Sequence, residues 1–98
     1  MGPGHLNPAG VVHGGVLLTL MDHALSAIAW EAAERARCVT LQIDSQFIAP
    51  VQSGDFVEAR GAVTKRTSGL VFVRGSLSVG DTDVLSSQAI MRVLRPSA

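Results

Sequence analysis

Three features of the 98-residue sequence predict a single α+β domain over residues 1–98: one Ala- and Leu-rich helical stretch, a lasting change to strand composition at Cys38, and short turn segments between the strands that follow. The opening, Met1 to Gly10, is mostly Gly, Pro, Asn, His and Ala and has the period of neither helix nor strand, so it reads as an irregular lead-in. From Gly14 to about Glu34 the pattern is helical. Its apolar residues, among them Leu17, Leu18, Leu20, Met21, Leu25 and Ile28, occupy nearly every azimuth, which predicts a helix surrounded by protein on most sides. Strands are expected at about Cys38–Ile48, Phe56–Thr64, Leu70–Val79 and Val84–Leu94, separated by Pro50 to Gly54, Ser68-Gly69 and Gly80 to Asp83. Short connections favour an antiparallel sheet. In the first strand Val39, Leu41, Ile43 and Phe47 alternate with Cys38, Thr40, Gln42, Asp44 and Gln46, so the first set is expected to face the core and the second to form the more polar face.

Eight basic and eight acidic residues cancel, which leaves no excess positive field to draw in nucleic acid or an anionic membrane. Charged residues are 16% of the chain, against roughly 25% in ordinary domains, and a chain this short buries a limited share of its surface. The apolar remainder points to a homo-oligomer. Cys38, the single cysteine, has no disulfide or zinc partner, and the three histidines lack ligand spacing, so neither a metal nor another cofactor is expected. No basic-then-apolar leader opens the chain, and the Val16–Met21 run stops at Asp22 and His23, well short of a membrane span; a cytoplasmic protein is expected.

The chemistry concentrates around the helix. His13-Gly14-Gly15 delivers two glycines to the helix start, where unpaired N–H groups and a partial positive charge suit an oxyanion. The plain alternative is a capping turn. Asp22 lies two turns further on, with Leu18, Leu25 and Ala29 as helical neighbours. A carboxylate buried there without a partner costs several kcal/mol, so the chain either pairs it, with His23 or Ser26 within reach, or uses it as a base or nucleophile. Eight residues separate Gly14 from Asp22, about 12 Å along a helix, a gap that a long substrate arm or a facing subunit would have to close.

Asn7, His13-Gly14-Gly15 and the helix acid Asp22, followed by the strand Thr40 to Pro50, resemble the hotdog-fold acyl-CoA thioesterases of the phenylacetic-acid-degradation type over nearly the whole chain. The resemblance implies one central helix wrapped by a curved antiparallel sheet, in a dimer or dimer of dimers (a homotetramer) whose subunits share the active site. It implies that the Gly14 N–H polarises the thioester carbonyl, that Asp22 of the facing subunit acts as base or nucleophile assisted by Thr40, and that Asn7 and His13 orient substrate or water. Gly15 and the turn residues Lys65, Arg66, Ser68 and Gly69 are implied to bind an acyl-CoA, or an acyl-carrier-protein thioester, with no metal or cofactor. One departure stands out: only six residues precede Asn7, so the strand that the family carries there is expected to be truncated. A hotdog-fold hydratase would show an Asp-x-x-x-x-His or His-Phe-Pro-Gly signature, and neither occurs in the sequence. A non-catalytic acyl-CoA binder is the other alternative, and it would not need Asp22.

Overall fold

The computed structural model describes residues 11–94. One helix, α1 (Gly14–Ala32), precedes four strands: β1 (Arg37–Phe47), β2 (Val57–Arg66), β3 (Leu70–Val79) and β4 (Thr82–Leu94). All neighbours pair antiparallel in the order β1-β4-β3-β2, so that β1 and β2 are the edges among the described residues. The helix lies across one face of this sheet, and the arrangement is a hotdog fold.

Glycine decides how closely the helix sits. Gly61 of β2 and Gly75 of β3 are directly opposed, beneath the middle of α1. A Cβ on Gly75 would stand 2.6 Å from the Arg60 carbonyl and 2.8 Å from Leu25 and Met21; one on Gly61 would meet Ile28 at 2.7 Å. The bare backbone of this pair is therefore the seat into which Leu25 and Met21 settle, both completely buried. Around it β3 and β4 contribute Val71, Val73, Leu77, Leu85, Ala89 and Met91 to one continuous core.

Two expectations change. The buried residues of α1 are Leu17, Met21, Leu25 and Ala29, a single four-residue stripe, while Thr19, His23, Ala27 and Trp30 are exposed. A four-stranded sheet covers one side of a helix, so the surrounding on most sides read from composition is not completed by the described residues. The helix also ends at Ala32 rather than near Glu34. The Glu34 N–H bonds the Glu31 carbonyl and the Arg35 N–H bonds the Trp30 carbonyl, which is the Schellman pattern. It is built on left-handed backbone at Glu34 (φ 57°) and Arg35 (φ 66°), where glycine is the usual residue.

In β1 the expected faces are partly reversed. The register against β4 slips between Thr40 and Gln42, leaving Leu41 as the extra residue of a bulge. Because strand faces alternate with period two, one extra residue exchanges the faces upstream of it. Cys38 and Ile43 pack on the core, whereas Val39 and Leu41 are 38% and 57% exposed. The other strand limits lie within two residues of expectation, and β3 coincides with it.

Gly75→Ala is expected to destabilise the fold by about 2–4 kcal/mol in urea denaturation, because the Arg60 carbonyl cannot yield. Glu34→Gly should raise stability by about 0.5–1 kcal/mol by relieving the left-handed strain, with no change in the helical signal in circular dichroism.

Candidate active site

Asp22 leaves α1 beside the fully buried Met21 and is itself half-buried. Its Oδ1 accepts a hydrogen bond from Thr40 Oγ1 at 2.7 Å. The partner is thus on β1, eighteen residues along the chain, rather than His23 or Ser26 on the same helix. The bulge at Leu41 produces this contact: with Ile43 held on the core face, regular alternation would have turned Thr40 away from the helix. One carboxylate oxygen is then held by a hydroxyl donor, and the other accepts no hydrogen bond from the described residues.

At the start of α1, His13 is the N-cap (φ −59°, ψ 140°), and its side chain makes no capping bond. The first turn contains no acidic residue. The N–H groups of Gly14 and Gly15 have no carbonyl four residues back within the helix, and among the described residues no acidic or capping side chain meets this positive end of the helix dipole. The two glycines differ in their surroundings. A Cβ on Gly14 would meet the Phe47 ring at 3.0 Å, whereas beside Gly15 there is open space. Packing therefore explains Gly14, whereas no described neighbour requires a glycine at position 15. Phe47 is 54% exposed, and with Val12, Leu17, Ile48 and Pro50 it lines an apolar groove at this helix end. Asn7 lies outside the described residues.

The β2–β3 turn is tied at both ends, with the Thr67 N–H bonded to the Leu70 carbonyl and the Leu70 N–H to Thr67 Oγ1. It lies at the other end of α1, about 27 Å from Gly14 by helical rise. Arg66 does not extend from this turn towards an open site. Its Nη1 donates to the Ala32 carbonyl at 2.5 Å, and its Nε is buried without a partner among the described residues. The last turn of α1 has no basic residue of its own, so β2 supplies the cation that the helix terminus favours. Arg66 also lies near Cys38, whose thiol burial pushes up and the guanidinium draws partly back. Lys65, Ser68 and Gly69 remain at the surface.

One chain thus holds Asp22 with Thr40, and Gly14 with Gly15 and His13, as two separate groups, with Lys65, Ser68 and Gly69 as a third. Among the described residues no cluster of three or more His, Cys, Asp or Glu side chains could hold a metal ion. A family model described as the thioesterase superfamily matches residues 9–86, which include both glycines, Asp22, Thr40 and the turn. The chain belongs to the thioesterase superfamily. No curated protein matches it.

Several solved structures share the fold of this superfamily member. A phenylacetic acid degradation-related protein from Ralstonia eutropha is 28% identical, with TM-score 0.85 over 92% of this chain and 68% of that one. A Bacillus halodurans protein solved with coenzyme A is 23% identical, with TM-score 0.88 over 99% of this chain. The present chain spans 65% of its length. A hexameric thioesterase from Yersinia pestis is 23% identical, with TM-score 0.88 over 98% of this chain and 89% of that one. No helix among the described residues of this thioesterase-superfamily chain is long and apolar enough to cross a membrane.

Arg66→Met keeps the apolar stem and removes the donor from the Ala32 carbonyl; we expect a loss of about 1–2 kcal/mol in urea denaturation. Lys65→Ala, at the exposed neighbouring position, should stay within about 0.5 kcal/mol of the wild type.

Proposed function

We propose that the protein hydrolyses acyl-CoA thioesters to a free acid and a thiol, as a homodimer or a dimer of dimers in the cytoplasm. The observation that carries this reading is the 2.7 Å hydrogen bond from Thr40 to Asp22, which holds a half-buried carboxylate in one orientation on an otherwise apolar helix. Membership of the thioesterase superfamily, and a likeness to a phenylacetic acid degradation-related protein and to a coenzyme-A-bound structure, support thioester chemistry.

The working site is composite. Two copies placed with their helices antiparallel bring Asp22 of one protomer to the helix start of the other, which closes the 12 Å gap that a single helix imposes. The Gly14 N–H donates to the thioester carbonyl and stabilises the oxyanion as it forms, helped by the positive helix end. Asp22 takes a proton from the attacking water as general base, or attacks the carbonyl carbon itself and is released by water in a second step. Thr40 fixes the carboxylate so that its free oxygen faces the reaction. His13 and Asn7 orient the thioester or the water, and Gly15 leaves room for the thioester to reach the backbone. Lys65, Ser68 and Gly69 bind the distal part of the substrate. Arg66, committed to the Ala32 carbonyl, supports that turn from behind.

Thiol release from a panel of acyl-CoA substrates tests the activity directly, with an acyl-carrier-protein thioester as the competing carrier. Asp22→Asn should lower kcat by at least about a hundredfold while leaving the fold intact. Near-wild-type turnover by that variant would assign the carboxylate a structural role and remove the mechanism. Mixing Asp22→Asn with a Gly14-blocked variant should restore activity in the mixed dimer, since one of its two composite sites is then unaltered.

A further inference from the structure

The zero net charge conceals a strong separation along the molecule, which measures 52 × 25 × 18 Å. Of the eight basic residues in the chain, Arg35, Arg37, Lys65, Arg66 and Arg92 lie where α1 ends, β1 begins and β4 finishes. Glu31 and Glu34 share that end, which keeps a basic excess, whereas Asp55, Glu58, Asp81 and Asp83 lie at the other end, around the start of β2 and the β3–β4 turn.

The basic end carries Trp30, the chain's single tryptophan, 40% exposed. The Arg35 guanidinium lies over its ring, 5.4 Å from the centroid. This stacking is imposed by the backbone: the left-handed Glu34 and Arg35 turn the chain back until the Arg35 N–H bonds the Trp30 carbonyl. Glu31, 3.9 Å from Arg35 Nε, steadies the guanidinium from the side. Two successive non-glycine residues in left-handed conformation are a cost that helix termination alone does not require, since a single glycine would end the helix. Arg37 stands exposed at the start of β1, two residues beyond Arg35. Asp22 is ten residues before the end of α1, about 15 Å along the axis, a span that an extended pantetheine arm can cross.

We propose that Trp30, Arg35 and Arg37 form the seat for the nucleotide end of a coenzyme A thioester, with the adenine on the indole face and the phosphates on the two guanidiniums. This rests on the thioesterase reading above and names the carrier within it. A flat aromatic face stacks on a base without regard to its sequence, and guanidinium forks pair with phosphate oxygens. Neither feature would be needed for a bare pantetheine thioester.

Because Trp30 is the only tryptophan, its emission reports the site without a label. Titration with adenosine 3′,5′-bisphosphate, which carries no thioester, should quench or shift that emission, and added salt should reverse the effect. Trp30→Ala should raise KM for acyl-CoA by about tenfold and narrow the difference between acyl-CoA and the matching acyl-pantetheine thioester. Trp30→Phe, which keeps an aromatic face, should return KM to within about threefold of wild type. Arg60→Ala, which removes a cation from the middle of β2, serves as the charge control and should leave KM unchanged. Emission that ignores the bisphosphate, or wild-type KM for acyl-CoA in both Trp30→Ala and Arg35→Ala, overturns the proposal. So does a preference for an acyl-carrier-protein substrate that depends on Arg35 and Arg37 but not on Trp30. If no thioester is turned over, the hydrolase reading fails, while the emission titration still decides whether the nucleotide binds.

Discussion

The close seating of α1 on the paired glycines of β2 and β3 is the contact on which the remaining geometry depends. With Gly61 and Gly75 bare, Leu25 and Met21 reach the sheet backbone, and the helix is fixed in depth and in rotation at once. Met21 and Asp22 are adjacent, so locking Met21 downward directs Asp22 sideways towards β1, where Thr40 receives it. A helix raised by one methyl group would lose core contact over its whole stripe and would also draw the carboxylate away from its donor. Packing and site geometry therefore share one support.

The two ends of the helix are treated differently. At its C-terminal end, Arg66 donates from a neighbouring strand to the Ala32 carbonyl, and the chain folds back over Trp30. At its N-terminal end, no acidic residue lies in the first turn and the His13 side chain does not cap. A helix stabilised solely for the fold would gain from an acid or a hydroxyl cap at that position. Among the described residues the negative end of the dipole is satisfied internally, and the positive end meets no acidic or capping side chain.

The alternation between one helix and several short strands made the architecture legible in the sequence, and the burial cost of a charge among leucines singled out Asp22. Its partner was legible only through family resemblance, because the alternation of Val39, Leu41 and Ile43 indicates a regular strand and gives no sign of a bulge. The helix end was misplaced for a related reason: Glu34 and Arg35 are ordinary helix formers, and nothing local announces a left-handed turn at non-glycine residues. Arg66 is assigned to substrate through the resemblance, because the helix terminus that it bonds lies on another element, thirty-four residues away in the chain. The glycines within the strands at 61 and 75 carried a usable signal, since glycine inside an apolar strand marks a close backbone approach.

The bulge at Leu41 amounts to a difference in length between two paired strands, and insertions and deletions act on such a difference unequally. Removing Leu41 from β1 would restore an even ladder with Thr40 and Ile43 still turned to the helix. Adding a residue to β4 opposite Leu41 would restore an equally even ladder but turn Thr40 outward, because every side chain beyond the added residue would change face. The two changes give sheets of the same regularity, and only one keeps a donor beside the carboxylate. Over the history of such a chain, length changes in β4 near Ile90 and Met91 are therefore constrained twice, by the burial of Met91 and Val93 and by the hydrogen bond that Thr40 makes across the paired strand.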